Sequence, residues 1–176
     1  RDGYKLLQST ATFENLKLLA SFWNDVSNQN KERFSDKVLR RLFVLNYAPN
    51  SMWTYFTSVY FMHYKDEDGS LEDDKFYTFL CKTTAFVWAY ALTNPGLNSL
   101  RTPIFAEMVN IIKGKDVAFA DYKFDIQQFK NIFNNYKFFN GRPLTKSMIT
   151  WWAYNSDDQE LMSLETVIEI EHIYAR

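Results

Sequence analysis

Large apolar side chains recur at intervals of three and four from Phe13 to Trp152, interrupted at only a few short Pro- or Gly-containing breaks. That is the helical period, so the chain must bury a succession of one-sided helices against each other. Five Gly and four Pro in 176 residues are too few for a sandwich of many tight turns. A hydrophobic fraction of 47% and a net charge of −1 exclude a disordered or fibrous chain. The single thiol, Cys81, rules out an intramolecular disulfide and gives no sign of secretion. The longest weakly polar run, Thr83–Thr93, is half the length of about 20 residues that a membrane span needs. The expectation is a soluble, cytoplasmic, all-α protein: a single domain of about seven helices, with a short β-strand at the C-terminus.

The apolar spacing places those helices. Phe13, Leu16, Ala20 and Trp23 line one face of the first, with Leu19 and Val26 alongside. Ser35 caps a second that turns Val38, Leu42 and Leu45 inward and ends before Pro49. Asn50 or Ser51 caps a third along Met52, Phe56, Val59 and Tyr60, and His63 falls on the same face as a hydrogen-bonded core residue. A fourth runs from about Leu71 to Leu92 through Phe76, Phe79, Leu80, Val87 and Tyr90, with Cys81 as a small inert thiol. Thr102-Pro103 opens a fifth that carries Ile104, Met108, Ile111 and Ile112 to Gly114. Asp125 and Gln128 suggest a capping box for Ile126, Phe129, Phe133 and Tyr136. Thr145 caps the last, with Met148, Ile149 and Trp152 inward. Because Trp151 and Trp152 are adjacent, one indole must lie near the surface or a partner.

Several familiar chemistries are absent. Asp66-Glu67-Asp68-Gly69-Ser70-Leu71 invites a calcium-loop reading, but aligning its Gly puts Tyr64 first and Lys75 twelfth, where a chelating carboxylate is required. There is no Gly-rich phosphate loop, no His-Glu-x-x-His, no Cys pair for zinc and no serine elbow flanked by glycines.

Charge is distributed unevenly. Arg33, Lys37, Arg40 and Arg41 recur at helical spacing as a basic stripe. Residues 113–146 hold seven basic side chains, among them Lys130, Lys137 and Arg142, against three Asp, with Tyr122, Phe124, Phe138 and Phe139 interleaved. Cations beside aromatic rings suit phosphate contact and base stacking. Solvated helix faces over an aromatic core explain them as well, and a pI near 6.2 lacks the footprint of a dedicated nucleic-acid binder. Residues 155–172 carry six acidic groups and no Lys or Arg.

The C-terminal run Glu165–Tyr174 is β-branched and alternating, unlike anything before it, and delivers Glu171 and His172 to its end. Glu171-His172-Ile173, reached through this hydrophobic strand and preceded by a Trp-rich helix, resembles the start of the His-Asn-His (ββα-metal) nuclease motif. More narrowly, residues 142–176 are similar to the C-terminal domain of the GmrSD-type restriction endonuclease family, where a Glu-His-Ile ends the first strand. Ala175 replaces the Pro usual in that family.

The resemblance implies a parent DNA endonuclease of restriction or phage defence, with an N-terminal nucleotide-hydrolysing domain, a helical region and then the nuclease motif. In it His172 is the general base that activates water, and Glu171 helps hold a Mg²⁺-type ion. The expected division is a helical domain over 1–164 and a truncated nuclease motif from 165 to 176, completed after Arg176. The chain opens on Arg1 and stops inside a strand-like run, so it is expected to be a piece of a longer protein. By itself that piece is expected to be inactive and to hold no cofactor. The alternative is a non-catalytic helical module that binds a partner protein or nucleic acid.

Overall fold

The computed structural model describes residues 5–93, 100–138, 141–142, 144–156 and 158–171. Among them, one 3₁₀ turn at Lys5–Gln8 precedes seven α-helices: α1 (Thr10–Ser27), α2 (Asp36–Asn46), α3 (Met52–Tyr64), α4 (Asp73–Thr93), α5 (Arg101–Ile112), α6 (Ile126–Asn134) and α7 (Thr145–Ala153). Helix α2 packs on α4 and α7, α3 on α5, α6 on α4, and α1 on α3. None of the described helices is long and apolar enough to cross a membrane.

Local chemistry sets the helix ends. The Ser35 hydroxyl accepts from the Val38 amide at 3.5 Å, and Asp125 Oδ1 accepts from the Gln127 and Gln128 amides at 2.9 and 3.0 Å. Each satisfies backbone donors that the first helical turn leaves unpaired. At α3 the cap comes from Asn50, whose Oδ1 accepts from the Met52 amide at 2.9 Å. Gly114 ends α5 with φ +69°, donating to the Ile111 carbonyl while Lys115 donates to that of Asn110. That left-handed conformation is unstrained only for glycine.

The core cluster draws on α1 to α5. Phe22 of α1 stacks on Phe61 of α3 at 4.3 Å and meets Phe34 and Phe76 edge-on. Tyr60 stacks on Phe79 at 4.0 Å, and Phe86 lies flat on Phe119 at 3.8 Å. A clasp joins the N-termini of α2 and α4: the Ser35 hydroxyl donates to Asp73 Oδ2 at 2.9 Å, and the Lys37 ammonium stands 3.0 Å from the same carboxylate.

Several faces differ from the expected ones. In α1 the buried residues are Phe22 and Val26, supported by Leu18 and Leu19, while Phe13 and Leu16 are exposed. The Leu18–Phe22–Val26 stripe wins because it meets the α3 rings. In α5, Thr102 lies inside the first turn instead of capping it, and Pro103 remains where its missing N–H is tolerated. Ile112 is exposed, whereas Glu107 turns inward and accepts from the Ala118 amide at 3.3 Å. His63 is exposed, its ring edge-on to Tyr64. Cys81 is half-buried and unpaired.

Helix α7 buries Thr145, Ser147, Met148 and Thr150, and Trp152 is 75% exposed. Small side chains are needed there because the Ser147 hydroxyl reaches the α2 backbone, donating to the Val44 carbonyl at 2.9 Å while accepting from Trp88 Nε1 at 3.0 Å. The strand expected at the C-terminus is not found among the described residues. Residues 165–171 carry no strand, and no strand is formed among the described residues. Residues 172–176 lie outside the described residues.

Two stability predictions follow from this packing. Phe56 is fully buried between Phe79 and Phe119, so Phe56→Ala lowers the unfolding free energy by about 3–5 kcal/mol in urea titrations. Burial opposes ionisation of Asp73, but hydrogen bonds from Lys37 and Ser35 outweigh it and hold the carboxyl below its usual range. A group depressed in this way stabilises the fold above the unfolded-state pKa of about 3.9 and loses that contribution as pH falls through the folded value. Asp73→Asn is therefore expected to be less stable than the parent near neutrality, and the difference should shrink below pH ~4.

Candidate nucleic-acid interface

Helix α6 is strongly one-sided yet buries no residue completely. Its apolar stripe, Phe129 and Phe133 stacked at 6.1 Å, leans on α4 and stays partly open to solvent. Between it and α7 runs a groove of about 310 Å³ lined by Trp88, Phe133, Phe138, Met148, Ile149, Trp151 and Trp152. The adjacent indoles divide the work. Trp151 meets Trp88 edge-on at 5.8 Å, while Trp152 projects outward.

Cations lie close in sequence to the groove's two phenylalanines. Lys130 sits one helical turn before Phe133, and Lys137 precedes Phe138 in sequence; both are exposed and make no ion pair among the described residues. The Arg142 guanidinium lies 5.0 Å over the Tyr136 ring, which in turn meets Phe138 edge-on at 5.0 Å. Exposed rings flanked by exposed lysines offer stacking surfaces beside sites for phosphate.

The stripe at the start of α2 is divided by the fold. Arg33 leaves it, donating to the Gly69 carbonyl at 2.8 Å and standing 3.7 Å from Asp25, so it ties the 66–70 turn to α1. In that turn the Asp68 carboxylate accepts from the Ser70 hydroxyl and amide, and Gly69 holds φ +80°. The acidic groups thus stabilise their own loop. Lys37 is held by Asp73 and Asp74, hydrogen bonds that raise its ammonium pKa.

Arg40 and Arg41 point into a second cleft, of about 230 Å³, between α2, α4 and α7. Arg40 donates to the Gln159 carbonyl at 2.8 Å and packs over Tyr154; Arg41 donates to the Tyr77 hydroxyl at 3.3 Å and packs beside that ring. Spacing gave no sign that Tyr77 and Tyr154, from two other helices' ends, would wall this cleft. Trp151 lines it as well.

The nuclease candidates fare differently. Glu171 is exposed, and His172 lies outside the described residues. Among the described residues no three His, Cys, Asp or Glu side chains gather as a metal site. One exposed carboxylate does not by itself hold a Mg²⁺-type ion. No family model, curated protein or solved structure matches the chain.

The exposure of Trp152 has a direct optical consequence. Trp53 is buried, and the indoles of Trp23 and Trp88 donate to Ser58 and Ser147. Trp152→Phe is expected to remove most of the acrylamide-quenchable, red-shifted tryptophan emission while shifting stability by no more than about 0.5 kcal/mol. An unchanged quenching curve would place that indole in the interior.

Proposed function

We propose that this chain is the helical, non-catalytic domain of a GmrSD-like DNA endonuclease, and that it holds nucleic acid along the groove between α6 and α7. The observation that carries the reading is that groove itself: exposed Phe133, Phe138 and Trp152 line it, and the exposed Lys130 and Lys137, which make no ion pair among the described residues, precede its two phenylalanines by three positions and one. Bases stack on the rings and the lysines meet the phosphates, an arrangement tolerant of sequence. The nuclease part rests on the Glu171-His172-Ile173 resemblance. In this reading cleavage belongs to a motif that begins at Glu171 and His172 and is completed by residues following Arg176, where a Mg²⁺-type ion is bound. The helical domain positions DNA for it.

The test has two arms. Single-stranded DNA binding to this chain should weaken steeply as salt rises, and Lys130→Gln with Lys137→Gln should lower the slope of log affinity against log salt by about 1.4. In the polypeptide that completes the motif, His172→Ala should abolish metal-dependent cleavage with folding intact. Undiminished cleavage would end the nuclease assignment.

The wholly apolar floor of the groove favours a second reading, a docking site for an apolar segment of a partner protein. Binding that is insensitive to salt and lost on Trp152→Ala supports that reading over the first.

A further inference from the structure

The cleft between α2, α4 and α7 has an unbalanced charge. The carboxylates around its mouth are already engaged: Asp36 stands 3.3 Å from Lys31, and Asp73 and Asp74 hold Lys37. Arg40 and Arg41 are left as neighbouring cations, and neither meets a carboxylate within ion-pair distance among the described residues. Each gives one guanidinium N–H to an oxygen of the protein, the Gln159 carbonyl and the Tyr77 hydroxyl. The Nε of each is buried without any acceptor.

Buried donors without acceptors are unfavourable, and two half-buried like charges side by side add to that. The guanidinium groups themselves nonetheless lie over aromatic rings, Arg41 over Tyr77 at 5.7 Å and Arg40 over Tyr154 at 5.6 Å. A rigid pair of forks with spare donors suits an oxyanion bound in two-pronged fashion. Two cations match a dianion, which selects a phosphate monoester over a carboxylate. The surrounding rings of Tyr77, Trp151 and Tyr154 offer a flat apolar wall for whatever carries it.

We propose that this cleft binds a phosphate monoester, the dianion lying between the Arg40 and Arg41 guanidinium groups and its organic part against the aromatic wall. The inference does not need the nucleic-acid reading to hold. Two sources supply the same chemistry: a free nucleotide monophosphate, or the terminal phosphate of a nucleic-acid strand. Trp151 lines both this cleft and the α6–α7 groove, so a strand whose end enters the cleft lies next to the stacking rings.

Calorimetric titration of the 176-residue chain tests it with four probes: inorganic phosphate, a nucleoside 5′-monophosphate, and a short oligonucleotide with and without a 5′-phosphate. The monophosphate should bind, and Arg40→Gln or Arg41→Gln should weaken it at least about tenfold. Lys17→Gln, on the exposed face of α1 and outside both the cleft and the groove, should leave it unchanged. Preference for the phosphorylated oligonucleotide assigns the cleft to strand ends. Equal oligonucleotide binding with retained monophosphate binding assigns it to free nucleotide, and both outcomes support the site.

Should either arginine variant fail to fold, the parent chain still decides. Its thermal midpoint should rise with millimolar phosphate and not with equal ionic strength of chloride. Absence of that rise together with no monophosphate binding overturns the proposal, and so does monophosphate binding unaffected by either folded variant. Loss of oligonucleotide binding with monophosphate binding intact would instead count against the groove reading alone.

Discussion

The burial of α2 is the constraint from which the rest of this structure follows. Six of its eleven residues are buried, Val38, Leu39, Leu42, Phe43, Val44 and Leu45, so almost its whole circumference is covered. Covering it takes α4 on one side and α7 on another. The approach of α7 is close enough for a serine hydroxyl to reach the α2 backbone, and that proximity dictates Ser147 and Thr150 where larger residues would otherwise serve. A helix buried this fully has little room for charge. Arg40 and Arg41 must thread out between neighbouring helices, and their stems become walls of a cleft in place of a solvated face.

Aromatic rings fill the remaining space. The run from Phe22 through Phe61 and Phe76 to Tyr60 and Phe79 crosses three helices in stacked and edge-on contacts. Large flat side chains let helices of modest length bury much area per residue. The same environment pushes the Tyr60 hydroxyl up to about 12, chiefly by burial and then by the nearby Tyr64, Glu72 and Asp116. Aromatic residues outnumber what this core consumes. The surplus is gathered at α6 and α7, where Phe133, Phe138 and Trp152 meet solvent.

Helical period was enough to read the architecture, because apolar spacing and caps such as Ser35 and Asp125 act within a few residues of chain. Facing was harder. Helix α1 offers two overlapping stripes, and the choice of Phe22 over Phe13 is made by the Phe61 ring, a residue 39 positions away. Likewise nothing local marks Trp152 as the outer indole; Ser147 and its tie to Val44 set the rotation of α7. The C-terminal run carries a strand pattern, but a strand is completed by a partner, and none is present among the described residues. Candidate cations were legible by type and not by state, since pairing partners come from other elements.

That distinction of state decides which charges matter. Sequence spacing counted Arg33, Lys37, Arg40 and Arg41 as one stripe of equals. The fold engages the first with Asp25 and the Gly69 carbonyl, and the second with two carboxylates of α4. A cation already matched has little further pull on a ligand, because any new anion must displace the old one or share it. Of these four, Arg40 and Arg41 meet no carboxylate among the described residues, and both line a cleft whose low-dielectric aromatic walls reduce screening. A net charge near zero is therefore compatible with anion binding: the balance is struck over the whole surface, whereas recognition depends on the pair that was left out of it.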